Sequence, residues 1–175
     1  MIQIAEIKAC SNRLDALRTL LLDNKASLKG IDHQIDTYFQ VDSGRLKLRQ
    51  GNIETNLIYY QRANTKTTKK SSVLLYQPND PVALKDILNA THTTLCVVDK
   101  TREIYFIDNV KFHLDTVANL GTFVEIEAID EKSELDYEVL LAQCNKYKTM
   151  LGIHEEDLIS VSYSDLIMQT ASTNG

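Results

Sequence analysis

In the stretch Gly44 to Arg49, Arg45, Lys47 and Arg49 alternate with Leu46 and Leu48. Successive side chains of a β-strand point to opposite faces, so a strand here sets a row of cations against a row of leucines. Two readings are open: the wet face of an antiparallel sheet, or an anion site. Like charges in close contact repel by roughly 4 kcal/mol per pair at an effective dielectric near 20, so a repeat of the pattern on other strands favours a polyanionic ligand. The pattern recurs. Glu6 with Lys8, Arg62, Lys100 with Arg102, Lys111 with His113 and Asp115, and Glu125 with Glu127 each occupy one parity of a strand-like run. Mostly antiparallel strands in such number tend to close into a barrel, which removes the edges. With the charged faces inward, the lumen would offer cations to phosphate oxygens and carboxylates to Mg²⁺ or Mn²⁺.

The elements that must position these residues can be read in order. Ile2 to Ala9 alternates, with Ile4, Glu6 and Lys8 opposite Ala5, Ile7 and Ala9. A helix follows, capped by Ser11 or Asn12 and striped by Leu14, Leu17 and Leu21, with Asn24 and Gly30 at its exit. Ile31 to Val41 reads as a strand in which Gln34, Asp36 and Tyr38 share a face, and Asp42-Ser43-Gly44 turns into the cationic strand. Leu57 to Arg62 returns as its hairpin partner, Thr65 to Ser72 reads as a polar loop or hairpin tip, and Val73 to Gln77 resumes as a strand. Asp80-Pro81 starts a short helix to about Ala90. Cys96 to Phe106 and Val110 to Leu114 then pair through a turn at Asp108-Asn109, and Phe123 to Ala128 is the next strand. Ser133 with Asp136 opens a helix that includes Leu135, Val139, Leu140 and Tyr147 and ends at Gly152. Asp157 to Gln169 reads as one or two short helices, with a frayed tail after them.

With 175 residues and 43% hydrophobic content, the chain suits one domain with a real core. Its net charge of −5 gives no long-range attraction to nucleic acid or anionic membranes, so a cationic site must be local. Aromatic residues do not interleave with the basic runs as a base-stacking platform requires. Cys10, Cys96 and Cys144 are odd in number and lack metal-type spacing, which points to free thiols in a reducing compartment. No apolar run approaches the length of a membrane span and no leader-like segment opens the sequence, so a cytoplasmic location is expected. Val124, Ile126 and Ala128 need a cover, supplied either by helices or by a second copy in a homodimer.

Several stretches occur together in a familiar order: Glu6-Ile7-Lys8-Ala9, Asp36 to Phe39 running into Gly44 to Arg49, Leu57 to Arg62, Lys100-Thr101-Arg102, and His113 to Glu127, with Ser162 to Leu166 near the end. In these the sequence resembles the CYTH family, the triphosphate tunnel metalloenzymes that include class IV adenylyl cyclases, thiamine triphosphatases and inorganic triphosphatases. The resemblance implies an α+β fold, an antiparallel barrel of about eight strands with helices outside, spanning 1–169 before a disordered tail at 170–175. It implies that Lys8, Arg45, Lys47, Arg49, Arg62, Lys70 (or its neighbour Lys69), Lys100, Arg102 and Lys111 hold a triphosphate. By the same resemblance Glu6, Asp115, Glu125 and Glu127 hold Mg²⁺ or Mn²⁺, and Glu6 and Lys8 are the catalytic pair. The stretches around Tyr59 and Asp115 are similar to the class IV branch, which implies conversion of ATP to cyclic AMP and pyrophosphate. Hydrolysis of inorganic, thiamine or nucleoside triphosphate is the alternative. Two positions depart from the family pattern: Ile4 stands where the signature has its first glutamate, and Tyr60 where the triphosphatases commonly have lysine. The first departure leaves open a module that binds a triphosphate without turning it over.

Overall fold

The computed structural model describes residues 2–62, 69–132 and 134–173. Its strands are β1 (Ile2–Cys10), β2 (Ser27–Phe39), β3 (Arg45–Gly51), β4 (Asn56–Arg62), β5 (Lys69–Tyr76), β6 (Thr94–Ile107), β7 (Val110–Val117) and β8 (Gly121–Asp130). They form a closed barrel in the order β1-β5-β4-β3-β2-β6-β7-β8, and every pairing is antiparallel. The helices are α1 (Leu14–Asp23), α2 (Pro81–Thr91), α3 (Tyr137–Met150) and α4 (Tyr163–Thr173). This is the α+β barrel that the alternating runs and the resemblance led us to expect. Among the described residues, no helix is long and apolar enough to cross a membrane.

Strand parity divides the side chains between two cores. The outward set, Ala5, Ile7 and Ala9 of β1, Phe112 and Leu114 of β7, and Val124, Ile126 and Ala128 of β8, packs against Leu17 and Leu21 of α1 and Leu140, Cys144 and Tyr147 of α3. These two helices cover the outward apolar face of β1, β7 and β8. On the far side, Phe39, Leu48 and Leu57 pack against Leu84 and Leu88 of α2. At one end of the barrel, Tyr163, Leu166 and Ile167 of α4 pack on Tyr38, Val98, Val117 and Phe123.

Several boundaries differ from the sequence reading. The N-cap of α1 is Arg13 rather than Ser11 or Asn12; Ser11 contributes by accepting the Arg13 amide with its Oγ at 3.3 Å. β2 begins at Ser27, because Gly30 sits at a register shift within the strand instead of ending a helix exit. Its φ of 152° and the approach of Ile53, 2.6 Å from where a Cβ would lie, reserve that position for glycine. β5 starts at Lys69 inside the supposed polar loop, of which residues 65–68 lie outside the described part. In α2, Asp80 does cap, accepting from the amides of Val82 and Ala83. α3 begins at Tyr137 after Asp136, which leaves Leu135 ahead of the helix and exposed, while Ser133 lies outside the described residues. The expected tail is helical as far as Thr173, within α4.

Phe112 is fully buried and meets the Tyr147 ring edge-on, with centroids 5.0 Å apart. Phe112→Ala should therefore cost about 3–5 kcal/mol in urea unfolding, whereas Leu74→Ala, at a half-exposed outward position, should change stability by less than about 0.5 kcal/mol.

Candidate functional site

The inward parity encloses a cavity of about 310 Å³. Its polar half is built by β2, β3, β6, β7, β8 and the second half of β1, and its charges fall into two linked groups. The first centres on Asp36 of β2, which is 1% exposed. Its carboxylate accepts from Lys47 Nζ at 2.9 Å, from Arg49 Nε and Nη2 at 2.9 and 3.1 Å, and from Lys100 Nζ at 2.7 Å. The geometry follows from strand order, since β2 lies between β3 and β6 and the register sets Asp36 directly opposite Arg49. Burial opposes ionisation of Asp36, but Arg49, Lys100 and Lys47 outweigh it and hold the group well below the ordinary carboxylate range. The same burial, with Arg49, Arg102 and Lys47 near, pulls the Lys100 ammonium down to about 7.

The second group lies on β1, β6, β7 and β8. The register places Lys8 and His113 on either side of Glu125, and Glu6 and Lys111 on either side of Glu127. Glu125 accepts from Lys8 at 2.8 Å, from Arg102 at 2.8 Å and shares a 3.0 Å contact with His113 Nδ1. Arg102 forks onto Asp115 at 2.7 and 2.5 Å, and Tyr163 Oη donates to Asp115 at 2.7 Å. Burial works against the charge on Glu125, but Lys8 and Arg102 lower its pKa well below the usual range. Burial and Arg102 lower His113, so its imidazole is neutral near pH 7 and able to ligate a metal.

A further carboxylate, Glu54, comes from the turn between β3 and β4. It accepts from Lys111 at 2.7 Å and Arg49 at 3.2 Å, and Lys29 reaches it at 3.5 Å. Burial would raise its pKa, but Lys111 and Arg49 lower it strongly. The turn is itself pinned by Asp32, whose buried carboxylate accepts the amides of Ile53 and Glu54 at 2.9 and 3.0 Å. Gly51 permits this approach, as a Cβ there would lie 2.7 Å from both Asp32 oxygens.

Of the residues expected to hold a triphosphate, Lys8, Lys47, Arg49, Lys100, Arg102 and Lys111 all line the lumen. Arg45 lies outside that lining: it borders a groove at the α4 end and pairs with Asp165 at 2.9 Å. The side chains of Arg62 and Lys70 fall outside the described part. The register sets Lys69, not Lys70, opposite Glu6, while Arg62 pairs with Ser71, which lines the lumen. Glu6 lines the lumen and accepts from Ser71 Oγ at 3.4 Å. Of the expected metal ligands, Asp115 is engaged by Arg102 and Tyr163. Among the described residues the cluster with metal-type geometry is His113, Glu125 and Glu127, whose ligand atoms lie within 4.8 Å of one another. His113 Nε2 is buried without a hydrogen-bond partner. The sequence reading assigned no role to Asp36, Glu54 or His113. Parity did mark Asp36 and His113 as inward, whereas Glu54 sits in a turn where no periodicity applies.

Comparison with known proteins bears on this geometry. Among solved structures, the PH1012 protein of Pyrococcus horikoshii OT3 superposes with a TM-score of 0.81 at 24% identity, over 93% of this chain and 98% of that one. A putative adenylate cyclase of Vibrio parahaemolyticus gives 0.72 at 14% identity, over 94% and 97%. HpAC1 of Hippeastrum, a putative adenylyl cyclase described as having a dominant triphosphatase activity, gives 0.65 at 13% identity, over 98% and 96%. At these identities the likeness is one of fold. A sequence search of curated proteins finds no match. The CYTH domain family model matches residues 4–163, nearly the whole barrel together with the start of α4. The chain belongs to the CYTH domain family.

Proposed function

We propose that this protein binds the phosphate chain of a triphosphate in its lumen and hydrolyses it with the help of a divalent cation. The observation that carries this reading is the juxtaposition of the inward cations Lys8, Lys47, Arg49, Lys100, Arg102 and Lys111 with the His113, Glu125 and Glu127 cluster in one cavity. Hydrolysis asks for a grip on the phosphates, a metal and a water. Divalent metals serve the triphosphate tunnel family, and the donor set here fits such an ion. An imidazole beside two carboxylates suits Mn²⁺ better than Mg²⁺, which prefers oxygen throughout. When bound, the metal would supply Lewis acidity and activate water.

The chain's own residues do the rest. Asp36 holds Lys47, Arg49 and Lys100 at fixed positions, so these cations need no reorganisation as charge builds on the phosphate oxygens. Arg102, locked by Asp115, and Lys8 face the metal cluster through Glu125 and orient the phosphate nearest to it. Glu6, set opposite Glu127 in the register, is positioned to take the proton of an attacking water. A second reading, cyclisation of ATP, rests on the class IV-like stretches around Tyr59 and Asp115 and uses the same phosphate grip with the α-phosphorus as target. Incubation with Mn²⁺ and tripolyphosphate, thiamine triphosphate or ATP separates them. Orthophosphate supports hydrolysis, cyclic AMP with pyrophosphate supports the second reading, and metal-dependent binding with neither product leaves a binding module.

Glu54 occupies Arg49 and Lys111 as a phosphate oxygen would. Glu54→Gln should strengthen tripolyphosphate binding about tenfold, read by isothermal titration calorimetry. Lys100, which faces Asp36, Lys47, Arg49 and Arg102, sets the pH dependence. Its pKa near 7 means that it is largely neutral at higher pH, while a phosphate favours its charged form. Binding should therefore take up a proton above neutrality, and affinity should fall as pH rises from about 6 to about 9. Comparing calorimetric heats in buffers of different ionisation enthalpy detects that proton, and Lys100→Arg should abolish the uptake.

A further inference from the structure

The lumen has a second wall with different chemistry. Ile4 of β1, Ile58 and Tyr60 of β4 and Val73 of β5 form an apolar cluster of their own, separate from the cores under the helices. They line the same cavity as the cations, and Ile2 and Leu75 continue the wall toward the mouth where β1 begins and β5 ends. The wall therefore faces open space that a ligand could fill, and a bare phosphate chain would leave it facing water. The polar half tells a matching story. Lys8, Lys47, Arg49, Lys100, Arg102 and Lys111 each already hold a carboxylate: Lys8 has Glu125, Arg102 has Asp115, and the rest have Asp36 or Glu54. Among the described residues, an inorganic polyphosphate, carrying several charges and nothing apolar, would meet cations already paired with carboxylates on one side and the apolar cluster on the other.

The geometry points to an organic polyphosphate whose non-phosphate part is apolar: the phosphates lie on the Lys47, Arg49 and Lys100 side, and a hydrocarbon group lies along Ile4, Ile58, Val73 and Leu75. A nucleoside fits this wall less well, because its hydrogen-bonding edges would be desolvated against Ile58 and Val73 without partners. Among the described residues, Asn56 of β4 and Ser71 of β5 line the cavity on the same strands as the wall, and Ser71 is engaged with Glu6. The inference rests on the polyphosphate reading above and adds the class of substituent.

The test is a calorimetric series on the intact protein: inorganic tripolyphosphate, then methyl, propyl, hexyl and octyl triphosphate, with ATP as the hydrophilic comparison. The dissociation constant should fall roughly fourfold for each methylene that becomes buried and level off once the wall is covered, with ATP weaker than hexyl triphosphate. Val73→Thr, which keeps the side-chain shape, and Ile58→Thr, which also shortens the side chain by one carbon, should reduce the gain per carbon. Were either variant to misfold, the wild-type series would still decide. Tripolyphosphate binding with no gain along the series, or ATP tighter than the alkyl compounds, overturns the apolar-substituent inference and leaves the polyphosphate reading standing. Failure of every member to bind overturns both.

Discussion

A carboxylate at 1% exposure carrying three cations is the constraint around which the rest of the barrel is arranged. Asp36 alone in that interior would be neutralised by its own desolvation, and Lys47, Arg49 and Lys100 without it would repel one another. Each side of the arrangement is tolerable through the other, and removing one partner from such a buried network typically costs about 3–5 kcal/mol. The three cations come from β3 and β6, the two strands hydrogen-bonded to β2. The ionic hub therefore ties together the same strands that the backbone ladders join, and a slip of one residue in either ladder would turn Asp36 away from its partners.

The second ionic group repeats this logic across β1, β6, β7 and β8, where opposite charges face each other across the register: Lys8 with Glu125, Lys111 with Glu127, and Arg102 with Asp115. Among the described residues, β4, β5 and the start of β1 carry an apolar cluster, Ile4, Ile58, Tyr60 and Val73, that faces the lumen. The barrel thus sets an apolar patch beside the ionic groups within its lumen, while the outer surface makes its own separation between helix-covered and exposed faces. Closure of the sheet allows both, because no strand needs a polar edge to discourage pairing with another chain.

Much of this was legible from alternation alone. The inward parity of Glu6 and Lys8, of Lys47 and Arg49, of Lys100 and Arg102, and of Glu125 and Glu127 follows from a period of two, which survives any uncertainty about where a strand begins. Parity assigns a face and does not assign a partner. Asp115 shares the inward face with Glu125 and read as a metal ligand, yet Arg102 stands directly opposite it in the register and takes both its oxygens. Arg45 has the same parity as Lys47, but its position at the strand's end brings it to Asp165 of α4, a contact between residues far apart in sequence. Lys70 and Lys69 differ by one residue, and the register that distinguishes them depends on where β5 meets β1. Glu54 left no trace in any pattern, because its place is set by Asp32 gripping the turn amides.

That pinned turn alters how the cavity behaves over time. With the Glu54 carboxylate already seated on Lys111 and Arg49, an anion bound as proposed would displace a resident one on entering and be replaced by it on leaving. The cations are never required to stand bare, so the barrier to emptying the cavity is lower than for an uncompensated site, where the last phosphate would leave several charges exposed to one another. Such a site gives up tight retention in favour of rapid clearance. Under the proposed hydrolysis, which would leave highly charged products in the lumen, residence time rather than grip would be the property that the turn controls.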